Sequence, residues 1–270
     1  MSLLNGFAQK QANGLNYYES GTGNTLILLH GLPENATLWR NIASTLAAHS
    51  HVIIPDLPGS GDSPLPDGPL TIESMATAVN GLLQTLQITD CMLVGHSMGG
   101  YVAMAMLEAQ PDLFHCIAMV HSTAKADSDE KKEQRQKAVQ LIRNGGKDEY
   151  LKASTEKLFA TAFRKAHPKV YEEQLERSKA MPAEHLALYN EALAARPDRT
   201  LLLSQSKVPF QWILGDADEI IPLDDVLSQV ALAEMAFLSL YKDVGHLSMI
   251  EVPERLAADL TRFSGFCSRR

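Results

Sequence analysis

The chain has 270 residues, 45% hydrophobic and 21% charged: long enough to bury a full core, and without the compositional bias of a disordered, collagenous or repeat protein. A formal net charge of -8 removes the electrostatic attraction that dominates binding to nucleic acid, which argues against such a partner. The three cysteines, Cys91, Cys116 and Cys267, are odd in number and widely spaced, which matches neither a disulfide framework nor a metal-ligand pattern and fits a reducing compartment.

Residues 1–10 lack a basic start and a long apolar stretch, so no secretory signal is expected, and no apolar run approaches the length of a membrane span. These features predict a soluble, cytoplasmic protein. Residues 15–20 resemble an edge or hairpin strand. Short apolar runs at 25–30, 52–55, 91–95, 116–121, 208–214 and 237–241 have the length and Val/Ile/Leu content of buried parallel strands. From Thr71 onward, Ile72, Met75, Ala76, Val79, Leu82, Leu83 and Leu86 recur at helical spacing. Residues 101–107 are apolar all round, as a buried helix would be. Leu256, Leu260 and Phe263 form a C-terminal helical stripe behind Pro253.

This alternation predicts an α/β fold, a mostly parallel, twisted central sheet with helices on both faces. Residues 125–199 interrupt it. They carry no strand signal and hold 16 Lys+Arg against 13 Asp+Glu. The expected organisation is a core formed by 1–124 and 200–270, with 125–199 inserted as a helical cap. The insertion's charges are read first as a solvated outer face; the sharper reading is a weakly basic lid that receives an acidic substrate or carrier.

The most informative stretch is Gly95-His96-Ser97-Met98-Gly99-Gly100, between an apolar strand and an apolar helix. A Gly-x-Ser-x-Gly turn in that setting forces the serine into a strained backbone, and small residues on either side prevent collision. Ser97 is therefore the candidate nucleophile, exposed above a helix N-terminus whose dipole favours developing negative charge. A hydroxyl needs a base, and His246 is best placed, in a Gly-containing loop after the last strand. His30, Gly31, His96 and His121 lie at strand ends or beside the nucleophile and are expected to support or line the site. His49, His51, His167 and His185 are read as surface residues. Asp216, Asp218 and Glu219 compete to orient the base. The backbone N–H groups of Met98 and Leu32 are the candidate oxyanion donors, since Pro33 has no N–H.

Together these motifs resemble the α/β-hydrolase superfamily: His30-Gly31-Leu32-Pro33 its oxyanion loop, residues 56–63 its Asp-x-x-Gly-x-Gly-x-Ser loop, and residues 95–100 its nucleophile elbow. Gly215-x-x-Asp218-x-x-x-Pro222 is similar to the loop that carries the acid in this family, so the resemblance selects Asp218. Ser60 departs from the pattern, because relatives commonly have His there. Ser97 argues against the dehalogenase and epoxide hydrolase branches, which use an aspartate nucleophile. The resemblance implies a serine hydrolase acting on a small-molecule ester through an acyl-enzyme, with no metal or organic cofactor. A C–C bond hydrolase or a cofactor-free perhydrolase would use the same three residues, and a small-molecule receptor on a hydrolase fold is the alternative from another class.

Overall fold

The computed structural model describes residues 4–268. The strands, in chain order, are β1 (Ala8–Ala12), β2 (Leu15–Ser20), β3 (Thr25–Leu29), β4 (His51–Pro55), β5 (Cys91–His96), β6 (Phe114–Val120), β7 (Phe210–Gly215) and β8 (Ala236–Tyr241). Among the described residues they form one sheet in the order β1-β2-β4-β3-β5-β6-β7-β8. The pairs β1–β2 and β2–β4 are antiparallel, and every other pair is parallel. Strand β1 was not expected. Its residues are almost all exposed and carry no apolar alternation, but the Asn13-Gly14 turn that closes the hairpin has φ of 49° and 75°, the conformation Asn-Gly adopts in a tight hairpin.

The helices are α1 (Ala43–Ala47), α2 (Ile72–Thr85), α3 (Met98–Ala109), α4 (Asp129–Leu141), α5 (Lys147–Leu158), α6 (Thr161–Ala166), α7 (Pro168–Ser178), α8 (Ala183–Ala195), α9 (Thr200–Gln205), α10 (Leu223–Val230), α11 (Ser248–Glu251) and α12 (Pro253–Cys267). Thr71 caps α2 reciprocally with Ser74: the Ser74 N–H donates to Thr71 Oγ1 at 3.0 Å and the Thr71 N–H to Ser74 Oγ at 2.8 Å.

Because successive side chains on a strand point to opposite faces, each buried strand feeds two cores. Leu26, Leu28, Met92 and Val94 pack with Trp39, Leu46, Leu256, Leu260 and Phe263. Ile27, Leu29 and Leu93 pack with Val79, Leu82, Val102 and Met106 on the other face. This is the α/β architecture expected, with helices on both faces of a mostly parallel sheet. Strand ends moved by one or two residues: β5 includes His96, and β6 stops at Val120. His121 therefore lies just beyond its strand, with φ of 48°.

Helices α4 to α9 lie between β6 and β7. The chain leaves and re-enters the sheet at one point, where the Arg199 N–H donates to the Ala124 carbonyl at 2.8 Å. The nearly buried Arg199 guanidinium also reaches Glu73 of α2 at 2.6 Å and Glu108 of α3 at 2.9 Å. No helix among the described residues is long and apolar enough to cross a membrane. Cys91, Cys116 and Cys267 are buried, and burial pushes the Cys91 thiol well up, away from the reactive thiolate.

Candidate active site

Ser97 stands between β5 and α3 with φ 51° and ψ -116°, a left-handed conformation that a side-chain-bearing residue adopts only under constraint. The constraint comes from both sides. The Ser97 N–H donates to the Val120 carbonyl at 3.0 Å, and the Ser97 carbonyl accepts from the Gly100 N–H at 2.9 Å and from Ser122 Oγ at 2.7 Å. The small neighbours are sterically required. A Cβ on Gly95 would lie 2.4 Å from the Gly99 carbonyl oxygen, and one on Gly99 would lie 2.4 Å from the Leu29 carbonyl oxygen. Met98 opens α3, so its N–H is one of the donors a helix leaves unpaired at its N-terminus.

His246 follows β8. Its Nδ1–H donates to Asp218 Oδ2 at 2.7 Å, and both side chains are buried. Of the three competing carboxylates, Asp218 is the one at this histidine. Asp216 turns away and accepts the Asp243 N–H at 2.6 Å, while Glu219 is exposed. The Asp218 carboxylate accepts four hydrogen bonds: Oδ1 takes the Ile220 and Ile221 N–H groups at 2.8 and 3.0 Å, and Oδ2 takes His246 and the His121 Nδ1–H, the latter at 3.0 Å. Burial pushes this carboxyl upward, but the charge of His246 and the two histidine hydrogen bonds outweigh it and hold the group well below the usual carboxylate range.

The other histidines at the site have separate tasks. His96 Nε2–H donates to the His246 carbonyl at 2.9 Å, and burial, reinforced by the charges of His246 and His121, keeps the His96 imidazole neutral. Gly31 lets the preceding loop approach this group, because a Cβ there would meet His96 Nδ1 at 2.8 Å and Ser97 Cβ at 3.1 Å. His30 supports the site from below rather than lining the cavity. Its Nε2 accepts the Leu57 N–H at 3.0 Å and lies 2.9 Å from Ser60 Oγ, which ties the loop after β3 to the loop after β4. Ser60 thus hydrogen-bonds where relatives commonly carry His. His121 meets Asp218 instead of lining the cavity.

Leu32, Met98, Ser97 and His246 line one cavity of about 280 Å³, at the lower end of small-molecule clefts. Its other wall comes from α4, α5 and α8. The helices between β6 and β7 reach the loops around the cleft by hydrogen bonds: the His246 N–H to the Leu158 carbonyl at 2.9 Å, Gln174 Nε2 to Glu34 Oε1 at 2.7 Å, and Tyr189 Oη to the Pro58 carbonyl at 2.7 Å. His185, expected at the surface, is half-buried and bonds the Gly59 carbonyl at 2.7 Å. Sequence reading missed Ser122, Glu34, Gln174 and Glu251, whose carboxylate accepts the Gly245 N–H at 3.1 and 3.2 Å. Ser122, Glu34 and Gln174 act on partners distant in the chain and so belong to no local motif, whereas Glu251 lies only six residues beyond Gly245.

His121, Asp218 and His246 also place possible metal-ligand atoms within 4.8 Å of one another. At 2.7 and 3.0 Å from a single carboxylate oxygen, however, the two Nδ1 atoms have the geometry of N–H donors, and an ion bound by those atoms would displace both protons.

An open, mostly parallel sheet with a strained serine at a strand–helix turn, sharing one cavity with a histidine that a carboxylate holds, defines an α/β enzyme architecture. Residues 24–253 match the family described as alpha/beta hydrolase fold, and the chain belongs to that family. A thermophilic esterase from Thermogutta terrifontis, solved with malate bound, superposes with a TM-score of 0.89 at 28% identity, covering 97% of this chain and 98% of that one. The 3-oxoadipate enol-lactonase 2 of Acinetobacter baylyi is 27% identical over 244 residues, 89% of each chain. The pimeloyl-(acyl-carrier protein) methyl ester esterase of Aeromonas salmonicida is 37% identical over 108 residues, 38% of this chain and 39% of that enzyme. The chain spans between 30% and 39% of the length of the curated relatives it matches at 36–37% identity.

Proposed function

We propose that this α/β-hydrolase cleaves carboxylic esters or lactones of a small molecule through an acyl-enzyme on Ser97. The observation that carries the reading is that Ser97 and His246 line one cavity while His246 Nδ1 is held by Asp218. The similarity to an esterase and an enol-lactonase over most of the chain supports it. Residues 125–199 act as the cap that closes this cavity over a core formed by 1–124 and 200–270.

As Ser97 Oγ attacks the carbonyl carbon, its proton passes to His246 Nε2 and the carbonyl electron pair moves onto oxygen. The Leu32 and Met98 N–H groups receive that oxyanion, and Asp218 stabilises the imidazolium. Collapse expels the alkoxide, which takes the proton from His246. Water then attacks the acyl carbon, gives its proton to His246, and the acid departs as Ser97 regains its hydrogen.

Fluorophosphonate labelling, run beside a chain-length series of p-nitrophenyl esters, tests this reading. Wild type should label and turn over. Ser97→Ala should not label, and Ser97→Ala and His246→Ala should each lose at least about 10⁴-fold in turnover. Equal labelling of wild type and Ser97→Ala overturns the nucleophile assignment, and full activity in His246→Ala overturns that of the base.

A further inference from the structure

The wall of the cavity opposite Ser97 is cationic where a purely lipophilic ester site would be apolar. Two helices present it. On α4 the cleft-lining residues are Lys131, Gln134, Arg135 and Ala138, and on α5 they are Tyr150, Ser154, Lys157 and Leu158. Both sets follow the three-and-four spacing of a single helix face, so the polar stripe is one face that lines the cleft, with Lys131 half-buried and Gln134 and Lys157 exposed on it.

Three nearby carboxylates are already engaged, Glu219 being the exception. Asp127 pairs with Arg135 and, at 2.8 Å, with Arg196. Glu156 pairs with Arg164, and Asp129 reaches Lys132 at 3.7 Å. The Lys131 ammonium donates to the Ile220 carbonyl at 3.3 Å. Among the described residues Lys131 and Lys157 have no carboxylate partner, and the one anionic side chain lining the same cleft is the exposed Glu219. The segment 125–199 carries 16 Lys+Arg against 13 Asp+Glu in a chain whose net charge is -8, so positive charge is concentrated on this side of the cleft. In a chain that repels anions overall, two ammonium groups without a carboxylate partner on the wall opposite the nucleophile are an attractive local field for a carboxylate.

We infer that the cavity selects esters or lactones whose acyl part bears a free carboxylate, with Lys131 and Lys157 binding that anion while Ser97 faces the scissile carbonyl. This rests on the hydrolase reading above. The acyl group enters as a monoanion and leaves as a dicarboxylate.

The test compares two esters of equal acyl chain length, the mono-p-nitrophenyl ester of glutaric acid and p-nitrophenyl pentanoate. Wild type should show kcat/KM at least about tenfold higher for the anionic ester at low salt, and the advantage should shrink as ionic strength rises. Lys131→Gln and Lys157→Gln should each lower the anionic-to-neutral ratio about fivefold, through KM for the anionic ester. Lys137→Gln, on the outer face of α4 and paired with Glu133, should leave the ratio unchanged. Glutarate should slow fluorophosphonate labelling of wild type, and less so of the two cleft variants. Active enzyme with no preference for the anionic ester, or a ratio indifferent to both cleft lysines, overturns the inference and leaves the hydrolase reading intact. Absence of both Ser97 labelling and turnover overturns the hydrolase reading, and this inference with it.

Discussion

At the scale of single residues, His121 joins the site through Asp218. It donates Nδ1–H to the carboxylate oxygen that also orients His246, and its φ of 48° is one that Asn tolerates better than most side chains. Asn also places an amide N–H close to where Nδ1 stands. His121→Asn should therefore keep most of the activity. His121→Phe should lose about tenfold in kcat/KM, because a buried carboxylate is left one donor short. The sign for pH follows from the lost hydrogen bond. Without it the Asp218 carboxyl rises toward its ordinary value, so the stability that ionised Asp218 contributes, which is lost as pH falls, should be smaller in His121→Phe and return in His121→Asn, read from thermal midpoints against pH. The same pH dependence of stability in His121→Phe and wild type would show that His121 only fills space.

At the scale of elements, two turns hold the site, and each makes a prediction. The turn into α3 has no room for a Cβ at Gly99, which would press on the Leu29 carbonyl, a backbone atom that cannot swing aside. Gly99→Ala should cost about 2–3 kcal/mol by denaturant unfolding and disturb Ser97 labelling. The turn carrying His246 leans on α11, where burial pushes the Glu251 carboxyl up to about 7 from 4.5. The folded protein thus binds this proton more tightly than the unfolded chain does. That contribution to stability is fully present below about pH 4.5 and is lost as pH rises through 7. Glu251→Gln keeps an acceptor for the Gly245 N–H without the titration, so its thermal midpoint should gain on wild type between pH 4.5 and 8. A difference that stays flat across that range would contradict the shift.

At the scale of the whole molecule, Arg199 ties the root of the inserted helices to α2 and α3. Its guanidinium is nearly buried, but Glu73 and Glu108 are about half exposed, so solvent screens much of the pairing. Arg199→Met should cost about 1–2 kcal/mol in global stability, less than the loss of a fully buried pair. The proposed cap meets the site through backbone as well as side chains, since the end of α5 accepts the His246 N–H. Motion of that segment and placement of His246 are therefore mechanically linked.

The sequence by itself determined the class of fold and pointed to the serine and the histidine as candidates. Strand and helix periods are local signals, and a nucleophile turn needs its glycines within a few residues of the serine, so both can be read along the chain. The resemblance had already selected Asp218 over Asp216 and Glu219; tertiary structure placed its carboxylate on His246. It also decided that His121 shares that carboxylate and that Ser122 pins the turn, because these contacts join separate strand ends. The excess of basic residues in 125–199 had already raised a weakly basic lid, but which face of α4 and α5 lines the cleft was not legible. A helix face of Lys, Gln and Arg has the same pattern whether it faces bulk water or a reactive cleft, and only the packing of α4 and α5 against the sheet's loops distinguishes the two.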